Sequence, residues 1–187
     1  MLPRVNRSNP RLVRWLALLL APACVSVAMA ATLGRPAPPF VLLNSNHQRR
    51  TLASLKGKVV FIDFWASWCG PCEAELAELQ RAASLYPGQK VRFLAVNVDR
   101  EAAAAQRVIA KLGLGQSRLE ILWDTDAKAV GAYNIDAMPS SFILDAHGVI
   151  RYVHRGYRRN DPPKWRREID GLLAQGTSSR RSGARRH

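Results

Sequence analysis

Phe61-Ile62-Asp63-Phe64-Trp65-Ala66-Ser67-Trp68-Cys69-Gly70-Pro71-Cys72 runs from an apolar strand straight into a pair of cysteines. From Val59 to Trp65 both alternating faces are apolar except at Asp63. That is the pattern of a strand covered on both sides, in a parallel or central sheet position. A helix is predicted to open just after Trp68 and to run through Leu85. Its apolar stripe is Cys72, Leu76, Leu79 and Ala83, with Glu75, Glu78 and Arg81 pointing elsewhere. Tyr86-Pro87-Gly88 ends it.

Two cysteines flanking two residues at a helix start have a specific chemical meaning. The first sulfur meets unpaired backbone N–H groups and the positive end of the helix dipole, which favour an anion. Its pKa falls toward neutrality and it becomes a thiolate. The second sulfur lies within bonding distance and can form a disulfide with it. Pro71 suits the first helical turn, where its missing N–H is no loss. Structural zinc needs four ligands, and no second cysteine pair exists. Residue 73 is Glu73 rather than His, which excludes covalent haem attachment. A purely structural disulfide is the remaining alternative, although a bridge closing so short a loop constrains the unfolded chain little.

The surrounding chain bounds the answer further. Its 187 residues and 48% hydrophobic content fit one packed domain and exclude a wholly disordered chain. The formal net charge is +14. Arg4, Arg7, Arg11 and Arg14 lie in residues 1–30, and Arg180, Arg181, Arg185 and Arg186 in residues 177–187, with no acid in either segment. More than half of the excess therefore sits at the two ends, so a nucleic-acid partner is not inferred from it. Arg151, Arg155, Arg158, Arg159, Lys164, Arg166 and Arg167 make the C-terminal part of the domain basic. That face is read as solvated, with steering toward an acidic partner or membrane surface as the alternative.

Residues 1–30 read as a secretory signal peptide: a basic start, the apolar run Trp15 to Val27, and the small-x-small exit Ala28-Met29-Ala30. A retained membrane anchor through the uncharged residues 15–34 is the alternative. Cys24 is treated as an apolar filler of that segment, since Ala21 stands where a lipidation signal wants a large apolar residue. Export would place the protein in the bacterial periplasm.

Along residues 31–174, Phe40–Leu43 and Gln48–Leu52 read as short strands, and Val91–Val98 as a second buried strand. Glu101–Leu112 reads as an alanine-rich helix stopped by Gly113, Glu120–Trp123 as a strand and Asp126–Tyr133 as a short helix. Ser141–Leu144 and Val149–Val153 form a hairpin across a turn containing His147, and Pro162–Ala174 a closing helix with Asp161 as N-cap. Gln175–His187 is predicted to be a disordered basic tail. The expected class is α/β, a mixed central sheet with helices on both faces. His47, His147 and His154 show no paired metal spacing, and no metal site is expected.

The stretch Phe61 to Cys72 resembles the active-site strand and helix start of the thioredoxin superfamily. The secreted TlpA/ResA-like branch is closer still. Its marks are Leu55-Lys56-Gly57-Lys58, Cys72-Glu73-Ala74-Glu75, an extra helical segment between Asp99 and Trp123, and Met138-Pro139-Ser140-Ser141-Phe142-Ile143-Leu144-Asp145. The likeness spans about residues 36–174 and implies a thioredoxin-like fold with a short N-terminal strand extension and a helical insertion. It implies Cys69 as attacking nucleophile, Cys72 as resolving thiol, and a cis Pro139 beside the reactive sulfur. Met138, with Trp68, Gly70 and Pro71, would line the substrate groove; Trp68 is expected exposed and Trp65 in the core. Asp63, an acid in an apolar strand, is expected to be buried and to accept the proton of Cys72. Glu75 tunes the site or merely compensates the helix dipole.

Two departures stand out. Asp63 matches the cytoplasmic thioredoxins, where secreted relatives often carry Asn, and Ala77 replaces a proline frequent in the branch. The implied function is an exported thiol–disulfide oxidoreductase reducing protein disulfides, of the kind used in cytochrome c maturation or copper-centre assembly. A membrane electron donor is implied, and no dissociable cofactor. An oxidase, an isomerase, or a copper-handling module with two thiolate ligands are the alternatives.

Overall fold

The computed structural model describes residues 31–88 and 90–184. The predicted signal segment, 1–30, lies outside the described residues. The long apolar run forms β3 (Val59–Trp65), with every residue buried. It sits near the middle of a seven-stranded sheet. The other strands are β1 (Val41–Asn44), β2 (Arg49–Thr51), β4 (Val91–Asn97), β5 (Leu119–Trp123), β6 (Ser140–Leu144) and β7 (Ile150–Arg155). Their spatial order is β2-β1-β5-β4-β3-β6-β7. β3, β4 and β5 pair in parallel, as helical crossovers require. β6 joins β3 antiparallel, and β6 with β7 closes the expected hairpin.

Helices cover both faces. α1 (Gly70–Ser84), α2 (Ala102–Leu112) and α4 (Asp161–Ala184) lie over one core, in which Phe61, Trp65, Leu76, Val108 and Trp165 meet. Phe61 stacks on Phe93 at 5.7 Å and meets the Trp165 edge at 5.4 Å. Such pairs add about 0.5–1.5 kcal/mol each beyond burial. α3 (Lys128–Tyr133) and the Pro-rich lead-in cover the other core, where Phe64, Tyr133 and Phe142 form a ring cluster. The Tyr133 hydroxyl donates to the Pro38 carbonyl at 3.0 Å. The insertion between β4 and β5 is α2 plus a one-turn helix at Leu114–Gln116. Gly113 ends α2 at φ +65°, a left-handed conformation that glycine adopts without a Cβ clash.

Three expectations are corrected. α4 does not end at Ala174 but runs on to Ala184, so residues 175–184 are helical rather than a disordered tail. Once Trp165, Ile169 and Leu172 hold the helix on the core, each added turn extends an existing nucleus at little cost. Asp161 is the first residue of α4 rather than its cap, its carboxylate accepting from the Arg158 amide at 2.7 Å. Glu75 does not point away from the core: it is 1% exposed, because β6 and α4 close over that side of α1. Among the described residues no helix is long and apolar enough to cross a membrane.

Candidate active site

Cys69 occupies the N-cap of α1 with extended backbone, and its Sγ accepts from the Cys72 amide at 3.3 Å. The sulfur stands where a serine or aspartate oxygen caps most helices. Any negative charge on it is therefore met by a backbone N–H and the dipole's positive end. Pro71 lies in the first turn, so its lack of a donor costs nothing. The two sulfurs form a disulfide of 2.06 Å. Among the described residues no group of three or more His, Cys, Asp or Glu side chains is placed to hold a metal ion.

The two cysteines differ in access. Cys72 is 0% exposed and packs with Leu76 and Trp65 in the core. Cys69 faces a groove of about 500 Å³ lined by Trp68, Gly70, Pro71, Ile135, Asp136, Ala137 and Met138. Trp68 stands 71% exposed at its edge, whereas Trp65 is fully buried, as the sequence suggests. The Met138–Pro139 peptide bond is cis. The Pro139 carbonyl accepts from the Gly156 amide at 2.8 Å, which ties the groove wall to the turn after β7.

Two carboxyls are buried on the elements that lead into and out of the cysteine pair, Asp63 on β3 and Glu75 on α1. Phe61, Asp63 and Trp65 share one face of β3 by strand alternation, and Phe61 and Trp65 pack into the core that holds Cys72. Asp63 is 0% exposed, and neither of its oxygens has a hydrogen-bond partner among the described residues. Its Cα partner on β6 is Ser141, whose hydroxyl donates to Glu75 Oε1 at 2.9 Å. Glu75 Oε2 is unpartnered among the described residues. Burial pushes the Asp63 carboxyl well up, and the nearby Glu75 adds to that. Burial likewise raises Glu75 to about 8, opposed by the Ser141 hydroxyl and reinforced by Asp161. Such an environment raises a carboxyl's proton affinity toward that of a thiol.

Ser141 escaped the sequence reading. Its only signal was a second hydroxyl at the head of the apolar run Phe142-Ile143-Leu144. The same holds for the buried pair His154 Nε2 and Glu168 Oε2, 2.8 Å apart between β7 and α4. Burial lowers the His154 pKa, the Glu168 charge partly offsetting it.

The family model described as Redoxin matches residues 32–169. The chain belongs to the Redoxin family. It is 32% identical over 127 residues to the thiol-disulfide oxidoreductase ResA of Geobacillus kaustophilus, covering 68% of this chain and 71% of that protein. Against ResA of Bacillus subtilis it is 32% identical over 123 residues, 66% of this chain and 67% of that one. The fold matches the crystal structure of a Chlorobium tepidum protein described as a DsbE-type thiol:disulfide interchange protein, with TM-score 0.71 and 28% identity over 77% of this chain and 99% of that one. It also matches MTB DsbF, solved in mixed oxidized and reduced forms, with TM-score 0.63 and 25% identity over 71% and 94%. This Redoxin-family chain is thus a thiol–disulfide oxidoreductase of the ResA/DsbE type, with a thioredoxin-like fold.

Proposed function

We propose that the protein is an exported reductase of protein disulfides, acting through Cys69 and Cys72. The observation that carries this reading is the asymmetry of the pair: Cys69 faces a groove and takes a backbone hydrogen bond at a helix start, while Cys72 is sealed beneath it. The reduced Cys69 thiolate attacks one sulfur of a client disulfide, and the other client sulfur leaves as a thiolate. Cys72 then loses its proton to Asp63 in its carboxylate form, whose raised proton affinity suits the transfer, and attacks Cys69. That step expels the second client thiolate and closes the Cys69–Cys72 disulfide. Two electrons pass from the protein dithiol to the client. Glu75, held by Ser141, shares the proton load of Asp63.

Export rests on the basic start, apolar run and Ala28-Met29-Ala30 of residues 1–30. In the oxidising periplasm a reductant must be recharged, which calls for a membrane protein that carries electrons outward. Clients would be disulfides such as those met in cytochrome c maturation. Acid-quench alkylation in intact cells tests direction and compartment together. A largely dithiol Cys69–Cys72 pair is expected, turning to disulfide when outward electron transfer is blocked. A pair fully oxidised in healthy cells, and able to oxidise reduced clients, identifies an oxidase instead.

A further inference from the structure

The lining of the Cys69 groove carries one charge, Asp136, which pairs with Arg155, while the segments next to the groove carry exposed positive charges. On one side, the turn after β7 is bonded to cis Pro139 through the Gly156 amide, and Arg155 is the Cα partner of Ser140. That turn carries Arg158 and Arg159, both exposed. Arg159 is near enough to act on the Tyr157 hydroxyl, as are Glu75 and Glu78 of α1. On the other side, the Ser67 amide donates to Asp99 Oδ2 at 2.9 Å, which holds the loop before α2 against the approach to Cys69. Exposed Arg100 follows in that loop. α2 then turns Arg107 and Lys111 into a cleft of about 260 Å³ that Ser67 and Glu73 also line.

The acids of this rim are largely engaged, Glu78 by Arg81 and Asp161 by the Arg158 backbone amide. Glu73 pairs with Lys111 at 2.5 Å and Asp136 with Arg155 at 2.5 Å. Glu101 is exposed beside Arg100. Arg100, Arg107, Arg158 and Arg159 have no carboxylate within ion-pair distance among the described residues. Guanidinium groups free of partners favour carboxylates, which they bind in bidentate fashion.

We propose that this rim selects clients whose disulfide cysteine is flanked by acidic residues. The proposal rests on the reading of Cys69 and Cys72 as a disulfide reductase and names its substrate class. A polypeptide fits better than a lipid surface because the reactive Cys69 is only 6% exposed, at the floor of a concave groove. An extended chain segment can enter that groove and bring flanking carboxylates to the arginines around it, whereas a flat bilayer cannot reach the sulfur. Opposite charge around a cleft raises encounter rates by roughly 10–10³ at low salt.

The test uses the reduced protein and two peptides with one cysteine each, joined to 2-mercaptoethanol as a mixed disulfide. They differ only in having aspartates or lysines around the cysteine. Each turnover oxidises Cys69–Cys72 and releases the peptide thiol and 2-mercaptoethanol. The neutral bis(2-hydroxyethyl) disulfide serves as the reference substrate for every protein variant. The aspartate peptide is expected to react at least about tenfold faster than the lysine peptide near 0.01 M salt, where the Debye length is about 30 Å. Near 1 M, where it is about 3 Å, the difference should shrink to about twofold or less.

Arg158→Glu with Arg159→Glu should remove most of the aspartate advantage, measured relative to the reference disulfide with the same variant. Arg107→Glu does the same from the opposite side and guards against misfolding of the first variant. Equal peptide rates at low salt, with the reference disulfide turned over, overturn the rim proposal and leave the reductase standing. An inert reference disulfide defeats both. Sedimentation with phosphatidylglycerol vesicles that depends on these arginines, with no peptide preference, would assign the patch to a membrane surface and overturn the proposal.

Discussion

Cys69→Ser is expected to reduce insulin disulfides no faster than dithiothreitol alone, whereas Cys72→Ser should accumulate as a covalent adduct. The serine at 69 keeps the N-cap and its bond from the Cys72 amide but supplies no thiolate. Cys72 cannot take over, because it is fully buried and reaches only the sulfur of Cys69. In Cys72→Ser the first displacement proceeds and the second cannot, so client and protein stay joined through Cys69. Turbidity of precipitating insulin chains reads the first outcome. Mass spectrometry without added thiol reads the second, and dithiothreitol should release the adduct. Full turnover by Cys69→Ser, or an adduct mapped to another residue, would remove Cys69 from the mechanism.

The buried carboxyls should give the second-largest effects. Glu75 moves from an ordinary carboxylate value of 4.5 to about 8, chiefly through burial. The folded protein then holds a proton that the unfolded chain releases. Stability from this group is fully present below about pH 4.5, falls as pH rises toward about 8, and is flat above. The loss is of order 5 kcal/mol for a shift of that size. Glu75→Gln keeps an oxygen for the Ser141 hydroxyl and should flatten the pH slope, making the variant more heat-stable than the parent at pH 8. Thermal unfolding of the oxidised protein across pH 4–9 measures this; parallel curves for the two proteins would show that Glu75 does not carry the slope.

Asp63→Asn removes the acceptor for the Cys72 proton with little change of shape. Release of a preformed Cys69–client disulfide should slow by roughly 10²–10⁴, the usual contribution of a positioned base. The first attack by Cys69 should change far less. That split separates proton transfer from a merely structural role, which would slow both steps or neither.

Much of this was legible in the residues themselves. Val59 to Trp65 is apolar on both faces, and only a covered central strand satisfies that pattern. Gly113 marks the end of α2, and the cysteine pair marks the start of α1. Asp63 was readable as buried because it interrupts an otherwise apolar strand. Glu75 was not, because it lies at the edge of the stripe, three residues after Cys72 and four before Leu79, where an acid ordinarily reaches solvent. What buries it is β6, which arrives some sixty residues later in the chain and sets Ser141 opposite Asp63. The pairing of His154 with Glu168 likewise depends on how α4 lies across β7. Composition also misjudged residues 175–184: Gly, Ser and Arg have low burial potential, but they continue a helix already nucleated by Trp165 and Ile169.

The rate of iodoacetamide alkylation of each sulfur in the reduced protein, followed against pH and resolved by peptide mass spectrometry, tests the asymmetry of the pair most directly. Cys69 should react first, with a midpoint below the free-cysteine value of about 8.5, and Cys72 should stay protected across the same range. A faster Cys72, or a Cys69 titrating at or above the free value, would contradict the assignment of attacker and resolver.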